Sequence, residues 1–599
     1  MKIKVSDYIA EFLISKGISD IFTVVGGGAM HLNDSFGHNP KLHCLYNHHE
    51  QASAIAAEAY SRISPNMAVC CITSGPGAIN ALNGVVGAYQ DSIPMLVLSG
   101  QTKSTLTVKH SGLKLRTLGN QEFDIVSTLE NVAKYSEMIV DAKKIRYCLE
   151  KAYHIAKNGR PGPCWLDIPL DIQGSFVEYE ELEGYEPEKD AVVDLADVIS
   201  TIREKIKISE RPVLYVGNGV RLSGGIKEFK SIVEKYRIPV VTCWDSIDLI
   251  STNNKFYCGR AGTMGDRAGN FAVQNSDLLI CIGSRLNIYQ VGYNVKTWAR
   301  AAYTVVVDID SEELKKPTIR TDLPVCCDAK IFMKALLDAN FENTEKSSWI
   351  EQCGKWKSEY PVVTARQKNA KGIVNVYNFF DKVSHALPEN SITVVSNGSA
   401  SVVGSATYYI KENDRFIMNC GLSSMGYGLP AAVGACIANN KKPVACFEGD
   451  GSVMMNLQEL QTIVTNMLPV KLFVINNGGY HQIRLTQNNI FHNGLIGVGP
   501  ESNDLGFPDF KKIAKAFGIP YFKITDNLKQ RKTINRVLAL DSFAICEVFV
   551  STTQIFEPKS ATKKLDDGTL FSPPLEDLAP FLPEEELKRN MYIPIIEKK

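Results

Sequence analysis

The feature that most constrains the fold is an acidic glycine turn followed at a fixed distance by two asparagines. Gly449-Asp450-Gly451 is separated from Asn476-Asn477 by 24 residues, from 452 to 475. One crossover helix between neighbouring parallel strands fits this spacing, and both turns then meet at the carboxyl edge of the sheet. The intervening pattern agrees, because Pro443–Glu448 and Val470–Ile475 are apolar strand candidates and Asn456–Asn466 is a helix candidate. The feature therefore predicts a parallel α/β sheet with a ligand site at its edge.

The residue types in the two turns indicate the ligand. Oxygen atoms of Asp450 and of the Asn477 amide suit a hard cation such as Mg²⁺, which prefers to be shared with phosphates. Gly449 and Gly451 allow backbone amides to approach a diphosphate. A Gly-Asp-Gly-Ser sequence alone is more often an ordinary turn. The spaced asparagine pair favours a metal–diphosphate site instead.

Composition narrows the class of protein. With 65 basic and 65 acidic residues the formal net charge is zero, which argues against nucleic-acid partners and anionic membranes. No apolar run approaches the ~18 residues of a membrane span, and the first residues lack a signal-peptide core. The 15 cysteines show no metal-type or disulfide-type spacing, so reduced thiols are expected. These observations predict a cytoplasmic protein that acts on small molecules.

Alternating strand and helix patterns predict three doubly wound α/β domains and a C-terminal tail. The helix candidates include Glu50–Ser61 and Ala78–Tyr89, and the strand candidates include Pro212–Val216, Leu278–Ile282, Ile392–Val395 and Ala544–Phe549. The predicted domains span residues 1–177, 191–340 and 372–556, and the tail spans 557–599. Glu178–Asp190 and Asn340–Lys371 are interpreted as connections. The tail is rich in proline and charge, and it is either a lid over an active-site mouth or a surface strap.

With both halves of the motif present, the chain resembles the thiamine diphosphate-dependent enzymes, in their acetolactate synthase-like branch, over nearly its whole length. The resemblance implies thiamine diphosphate and Mg²⁺ as cofactors, with the metal held by Asp450, Asn477 and the carbonyl of Gly479. The three domains would be pyrimidine-binding, central nucleotide-fold and diphosphate-binding. The implied contacts to the diphosphate end of the cofactor are Gly398, Ser399, Ala400, Gly449, Asp450, Gly451, Ser452, Asn477, Gly479, Tyr480 and His481.

The resemblance also assigns the pyrimidine end of the cofactor. A glutamate that opens a helix is, by itself, only a favourable helix-dipole charge. In the family, the residue matched by Glu50 promotes the imino tautomer that deprotonates the thiazolium C2, and the one matched by Met425 wedges the cofactor into a V. The remaining implied contacts are Gly27, Gly28, Pro76, Asn80 and the backbone of Ser423, where relatives usually carry glycine.

The central domain resembles the flavin-binding domain of acetolactate synthase. The resemblance predicts FAD, without a net redox role, at Gly217, Asn218, Gly219, Gly262, Thr263, Met264, Gly283, Arg285, Asp308, Asp310 and Asp328. The alternative is a nucleotide fold that has lost its flavin.

The acceptor pocket departs from the family pattern. Gln121 matches a glutamine beside the substrate and completes the implied catalytic set with Glu50 and Met425. However, Leu170 replaces a lysine and Tyr289 replaces an arginine that helps bind the acceptor carboxylate. The family's Gly-Met-Val segment and its tryptophan are replaced by residues 480–487. These changes favour an acceptor more polar than a second 2-keto acid.

Four basic residues near these motifs are candidate proton shuttles or acceptor anchors, with packing as the alternative for each. They are His48, His49, His481 and Arg484.

We therefore predict decarboxylation of a 2-keto acid, pyruvate, and transfer of the acyl carbanion to a carbonyl acceptor such as a sugar-type ketone or aldehyde. Simple 2-keto-acid decarboxylation and true acetolactate synthesis are alternatives, the latter disfavoured by Leu170 and Tyr289. A non-catalytic scaffold is the alternative of another class, disfavoured by intact Glu50, Asp450 and Asn477. Because the family's two cofactor-binding domains meet across a subunit boundary, the resemblance implies an obligate homodimer and favours a homotetramer.

Overall fold

Three sheets, each of six parallel strands flanked by helices, follow one another along the chain. The computed structural model describes residues 2–188, 193–342, 345–491, 493–564, 568 and 570–596. The predicted fold class is confirmed. The domain boundaries predicted at residues 1, 191 and 599 lie outside the described residues.

The first sheet has the strand order β3-β2-β4-β5-β7-β6, and β1 and β8 form a separate antiparallel pair. The strands are β1 (Lys2–Lys4), β2 (Asp20–Thr23), β3 (His43–Tyr46), β4 (Val69–Ile72), β5 (Met95–Gln101), β6 (Tyr135–Met138), β7 (Pro163–Pro169) and β8 (Phe176–Glu178). The helices are α1 (Val5–Ser15), α2 (Met30–Gly37), α3 (Glu50–Ile63), α4 (Pro76–Gln90), α5 (Val108–Ser111), α6 (Ile125–Thr128), α7 (Ile145–Lys157) and α8 (Leu170–Gln173). The predicted helices at 50–61 and 78–89 correspond to α3 and α4, and Pro76 begins α4 because a first-turn residue needs no amide donor.

The second sheet has the order β11-β10-β9-β12-β13-β14. Its strands are β9 (Pro212–Val216), β10 (Val240–Thr242), β11 (Tyr257–Arg260), β12 (Leu278–Ile282), β13 (Tyr303–Asp308) and β14 (Leu323–Cys326). The helices are α9 (Ala196–Ile208), α10 (Gly219–Leu222), α11 (Ile226–Tyr236), α12 (Arg267–Asn275), α13 (Ile288–Val291), α14 (Ala329–Asp338), α15 (Ser347–Glu359) and α16 (Ala365–Asn369). The last two helices lie in the predicted connection, where Trp349 and Trp356 are buried against the central domain.

The third sheet has the order β16-β15-β17-β18-β20-β19. Its strands are β15 (Ile392–Val395), β16 (Arg415–Ile417), β17 (Val444–Gly449), β18 (Val470–Asn476), β19 (Tyr521–Ile524) and β20 (Ala544–Phe549). The helices are α17 (Val376–Ala386), α18 (Ser399–Thr407), α19 (Gly428–Ala438), α20 (Glu459–Thr465), α21 (His481–Ile490), α22 (Phe510–Ala516) and α23 (Gln530–Leu538). Strands β17 and β18 are neighbours with Gly449 paired to Ile475, so the two predicted turns leave the sheet side by side.

The described part of the tail lies against the central domain. It contains β21 (Lys563–Lys564), β22 (Leu570–Phe571) and α24 (Glu584–Arg589). Leu575, Leu578 and Leu587 join the apolar cluster that contains Trp356, and the Trp356 indole donates to Asn590 Oδ1 at 2.8 Å. The described part of the tail is therefore docked on the central domain.

The first and third domains share one apolar core, in which α3 packs on α19. At the same interface Arg62 donates to the carboxylates of Glu58 and Asp91, and all three side chains are nearly inaccessible to solvent. Glu58 also accepts from the Tyr427 hydroxyl, and Asp91 accepts from the amides of residues 420 and 421. This buried network ties α3 to the backbone segment that precedes α19.

No helix in the described parts of the chain combines the length and the apolar character that crossing a bilayer would require.

Candidate functional site

Asp450 joins the two turns of the leading motif. It directly follows β17 and is 1% exposed, and its carboxylate oxygens accept from the amides of Gly451 at 3.0 Å and Gly479 at 2.9 Å. Burial raises the pKa of Asp450 to about 7, and these amide hydrogen bonds oppose the rise only in part. A bound cation would therefore stabilise the ionised carboxylate.

Asn477, in the second turn of the motif, has a buried oxygen without a partner. Its Nδ2 donates to Ser399 Oγ at 3.1 Å, which leaves its buried Oδ1 without a hydrogen bond. The carbonyl of Gly479 accepts one hydrogen bond, from the amide of His481 at 3.0 Å, and keeps a second lone pair. Carboxylate, amide and carbonyl oxygens are the ligands that Mg²⁺ prefers, so the residues present fit this ion. Within the described ranges no group of three or more His, Cys, Asp or Glu side chains could hold a metal.

The amino end of α18 lies beside this oxygen cluster. Gly398 precedes the helix at φ +71°, and nothing lies within 4 Å of the position where its side chain would begin. The amides of Ser399 and Ala400 belong to the first turn, whose donors have no partners within the helix and suit an anion. The predicted diphosphate contacts at 398–400 thus lie on the side of Asn477.

Other predicted diphosphate contacts have structural partners. Ser452 Oγ accepts from the amide of Gly426 at 2.8 Å and lies 3.0 Å from Ser396 Oγ. The Tyr480 ring packs on Gly451, where a Cβ would lie 2.4 Å from Tyr480 Cε1. His481 is buried, and its Nε2 contacts the carbonyl of Gln554. The structure thus gives His481 a packing contact with the segment at residue 554.

Met425, the predicted wedge residue, is half-buried in the segment before α19. Ser423 has φ +54° and Gly426 has φ +77°, so left-handed residues stand on both sides of it. The Ser423 carbonyl accepts from Asn397 Nδ2, and its hydroxyl donates to the carbonyl of Cys420 at 3.1 Å. The turn around Met425 therefore contains one strained position, Ser423, which local hydrogen bonds hold in place.

The residues predicted to contact the pyrimidine lie together at the starts of α3 and α4. Glu50 begins α3, and its Oε2 accepts from Asn80 Nδ2 on α4 at 3.0 Å. Gly77 follows Pro76, and a Cβ there would lie 3.3 Å from Glu50 Oε1. Gly28, beside the exposed Gly27, donates its amide to Thr73 Oγ1 at 3.0 Å. The structure therefore brings Glu50 and Asn80 together, with Pro76 adjacent.

The loop that contains Gln121 contacts the turn before α4. Gln121 is exposed at φ +54°, and its carbonyl oxygen lies 2.4 Å from where a Cβ of Gly75 would stand. Gly75 itself has φ +58° and caps α4, which carries Asn80. This close approach places the predicted substrate glutamine near Glu50.

A buried acid that the sequence analysis missed supports this loop. Asp167 on β7 accepts from Ser99 Oγ at 2.5 Å and from Gln101 Nε2 at 3.0 Å, and Gln101 Nε2 also donates to the carbonyl of Phe123. Burial raises the pKa of Asp167 to about 7 although both side-chain hydrogen bonds lower it. Polar residues inside the apolar strands β5 and β7 were the available signal.

The four basic residues predicted as proton shuttles or acceptor anchors have different surroundings in the structure. His49 caps α3 by accepting from the amide of Gln51 at 3.1 Å, and exposed His48 donates its backbone amide to Glu459 at 3.0 Å. Arg484 is 2% exposed and donates to backbone carbonyls. His481 and Arg484 thus have packing contacts, the alternative considered for each.

A cleft of about 520 Å³ lies at the carboxyl edge of the central sheet. Six of the eleven predicted flavin residues line it: Asn218, Gly219, Gly283, Arg285, Asp308 and Asp328. Asp310 lines an adjoining cavity of about 440 Å³ with Arg160, to which it is paired at 2.8 Å.

The other predicted flavin residues are not among those lining the cleft. Gly217 packs against Ser284, and Met264 packs against the core of the third domain. Thr263 donates its amide to the carbonyl of Tyr289 at 2.7 Å, beside Gly262. The structure therefore divides the predicted flavin set between the cleft and the packed interior.

Comparison with known families covers all three domains. Family models described as the thiamine pyrophosphate enzyme N-terminal TPP binding domain, central domain and C-terminal TPP binding domain match residues 3–126, 199–336 and 396–548. The chain is 29% identical over 577 residues to the acetolactate synthase large subunit of Cyanidium caldarium, covering 94% of this chain and 96% of that protein. It is 30% identical over 565 residues to acetolactate synthase 1, chloroplastic, of Zea mays, covering 91% and 85%.

The chain belongs to the thiamine pyrophosphate-dependent enzymes. Within them it is a member of the acetolactate synthase-like branch, which also includes the Lactococcus lactis large subunit, 29% identical over 561 residues. The predicted resemblance and the predicted enzyme class are confirmed.

Proposed function

We propose that the enzyme decarboxylates a 2-keto acid, pyruvate, and joins the resulting two-carbon acyl unit to a carbonyl acceptor. The observation that carries the proposal is the unpartnered Oδ1 of Asn477 beside buried Asp450. A divalent cation held there would anchor a diphosphate at the amino end of α18. Bound thiamine diphosphate supplies the nucleophilic carbon for cleavage of the 2-keto acid.

The chain's own residues would orient the cofactor and the substrate and exchange protons with them. Glu50, held by Asn80 at 3.0 Å, presents a carboxylate that would exchange a proton with the pyrimidine ring. Met425, between two left-handed residues, supplies an apolar surface under the cofactor. Gln121, against the Gly75 turn, supplies an amide for the bound substrate.

The acceptor that we propose is a sugar-type ketone or aldehyde. Where the family pattern has an arginine for an acceptor carboxylate, Tyr289 is 48% exposed and stacks on Trp244 with ring centroids 6.0 Å apart. The segment after Asn477 ends in an α21 surface that exposes Gln482 and Thr486. Amide and hydroxyl groups hydrogen-bond to hydroxylated acceptors and offer no cation to a carboxylate.

Acetolactate synthesis is the second candidate, and the whole-length similarity to proteins of that name favours it. It differs only in the acceptor, which would be a second 2-keto acid. The products distinguish the candidates: acetolactate from pyruvate alone, or a ligated ketol that requires the added sugar.

FAD is proposed as a further cofactor in the central cleft. Asn218, Asp308 and Asp328 offer hydrogen-bond acceptors there, and Arg285 offers a cation for a diphosphate. The absorbance spectrum of the purified protein tests this proposal, because a bound flavin absorbs visible light. A colourless protein whose denatured extract contains no flavin would refute it.

We also propose a homodimer, assembled further into a homotetramer. Apolar side chains are exposed beside both halves of the cofactor site: Tyr46 and Ile79 near Glu50, and Met454, Met455 and Ile483 near Asp450. A second copy that covers these residues would bury both sets at once. Sedimentation at several protein concentrations tests the assembly, and a persistent monomer would contradict it.

A cytoplasmic location stays a prediction. All fifteen cysteines are free thiols, which supports a reducing compartment.

The function is tested with labelled pyruvate, thiamine diphosphate and Mg²⁺. We expect release of labelled CO₂ and, with a sugar-type acceptor, a ligated ketol. Glu50→Gln should abolish release while the protein still binds the cofactor, which separates an enzyme from a binding scaffold. Asp450→Asn should abolish Mg²⁺-dependent uptake of thiamine diphosphate. Absence of CO₂ release with every acceptor tested would refute the assignment of the donor.

A further inference from the structure

The loop that follows β18 carries two of the proposed metal ligands on a tightly confined backbone. Gly478 has φ +70° and Gly479 has φ +120°, both outside the range that side-chain-bearing residues favour. A Cβ on Gly479 would lie 1.9 Å from the carbonyl oxygen of Val498. The course of the loop is thus restricted on one side by residue 498.

A buried arginine restricts the other side. Arg484, on the first turn of α21, is 2% exposed. Its Nη1 donates to the carbonyl of Asn477 at 3.1 Å, and its Nη2 donates to the carbonyl of Gly478 at 2.7 Å. Its Nε lies 2.9 Å from a carboxylate oxygen of Glu501 but is not aligned for a hydrogen bond, so that contact is ionic.

These contacts determine the direction of the metal-facing groups, because each peptide unit is rigid and planar. Fixing the carbonyl of Gly478 also fixes the amide of Gly479, which donates to Asp450 Oδ2 at 2.9 Å. Fixing the carbonyl of Asn477 sets the backbone from which its unpartnered Oδ1 projects. The planar guanidinium group of an arginine has two parallel N–H donors and can hold two neighbouring carbonyls, whereas the ammonium group of a lysine is a single point charge.

We infer that Arg484 is the positioning residue of the metal loop: through the carbonyls of Asn477 and Gly478 it sets the backbone that carries the Asn477 side chain and the Gly479 amide bonded to Asp450. The inference rests on the proposed function, since it concerns the metal of the same site. Arg484 does not touch the substrate in this role, and it is not an acceptor anchor. Its removal would leave two carbonyls without their donor next to the metal ligands.

Two substitutions at Arg484 test the inference in the full-length protein. Metal affinity is measured by calorimetric titration with Mg²⁺ and, independently, by electron paramagnetic resonance of Mn²⁺, both at saturating thiamine diphosphate. Arg484→Met should weaken metal binding by at least about 10-fold, the range seen when groups that orient metal ligands are removed. Arg484→Lys keeps the charge but not the two parallel guanidinium donors, so it should also weaken metal binding, by a smaller factor.

Two controls separate the effect of the two guanidinium hydrogen bonds on metal affinity from the effects of the ionic contact and of losing a surface charge. Glu501→Gln removes the ionic contact but keeps both carbonyl hydrogen bonds, so affinity should stay within about two-fold, as for a partly exposed pair. Arg536→Met removes an exposed arginine from another helix of the same domain and should leave metal affinity unchanged.

The outcomes distinguish this inference from the proposed function. If the unmodified protein shows no Mg²⁺-dependent uptake of thiamine diphosphate, both fail. If the unmodified protein does take up the cofactor, and the affinity of folded Arg484→Met for Mn²⁺ stays within about two-fold of that protein's affinity, only the inference fails. A lowered melting temperature without a loss of metal affinity would then mark a purely structural role for Arg484. If Arg484→Met does not fold, Arg484→Lys decides alone: weaker metal binding supports the inference, and unchanged binding overturns it.

Discussion

Asp167 makes the stability of the first domain dependent on pH in a predictable direction. Its carboxyl group is 1% exposed, and burial raises its pKa from 3.8 to about 7. The folded chain binds the Asp167 proton more tightly than the unfolded chain does. The contribution of Asp167 to the free energy of unfolding is therefore fully present at pH values below the pKa of this carboxyl group in the unfolded chain. It is lost as the pH rises through the folded pKa.

The size of the effect follows from the two pKa values. A shift of about 3 units corresponds to about 4 kcal/mol in total, and about 2.5 kcal/mol of it falls between about pH 5 and about pH 8. Asp167→Asn cannot titrate and keeps an oxygen for the Ser99 hydroxyl. The free energy of unfolding of the unmodified protein, minus that of the variant, should therefore fall by about 2.5 kcal/mol across this range.

Urea denaturation at several pH values measures this difference. Trp165 is a local fluorescent probe, because its indole donates to Ser99 Oγ at 2.7 Å. Asp171→Asn is a control of opposite sign: burial raises the pKa of Asp171, but hydrogen bonds from Ser104 outweigh it and the pKa is lowered. A difference for Asp167→Asn that stays constant to about 0.5 kcal/mol, or that grows with pH, would refute the reasoning.

Three further substitutions, with one matched control, test backbone strain and packing by urea or thermal denaturation. Ser423→Gly should stabilise the protein by about 1 kcal/mol, because Ser423 stands at φ +54°, and an unchanged midpoint would show that the position is unstrained. Gly434→Ala should destabilise it by about 1–3 kcal/mol, since a Cβ there would lie 2.0 Å from the carbonyl oxygen of Ala56. Gly354→Ala is its matched control in an uncrowded helix position and should stabilise by about 0.5–1 kcal/mol; equal effects of the two would contradict the packing argument. Arg62→Met should cost about 3–5 kcal/mol because it leaves two buried carboxylates uncompensated, and a loss below about 1 kcal/mol would show that the network is dispensable.

The strands that sequence reasoning identified are mostly apolar. β9, β12, β15 and β20 were predicted with their observed bounds, since apolar residues dominate them, as a central parallel strand requires. β3, β6, β14 and β19 were among the strands missed. These four lie at sheet edges and mix polar with apolar residues, so their pattern resembles that of a loop. β7 and β11 were also missed although all their residues are buried, so burial alone does not separate the two groups. Pairing with another strand, rather than the local sequence, makes these segments strands.

The connection at 340–371 shows the same limit. It was interpreted as a linker, yet α15 forms there because Trp349 and Trp356 are buried between the central domain and the tail. The segment's own periodicity is weak, and its helical structure depends on a surface supplied by residues more than two hundred positions away.

The residue types and spacing from Gly449 to Asn477 determined by themselves that two turns would meet at a sheet edge, because one crossover helix permits little else. Tertiary structure alone decided that Asn477 Oδ1 is left without a partner, that burial raises the pKa of Asp450 to about 7, and that Arg484 holds the loop that carries Asn477 and Gly479. The physical reason is that desolvation and hydrogen-bond satisfaction depend on every segment packed around a group. Segments such as residues 498–501 and 554 reach the loop only after the chain has folded.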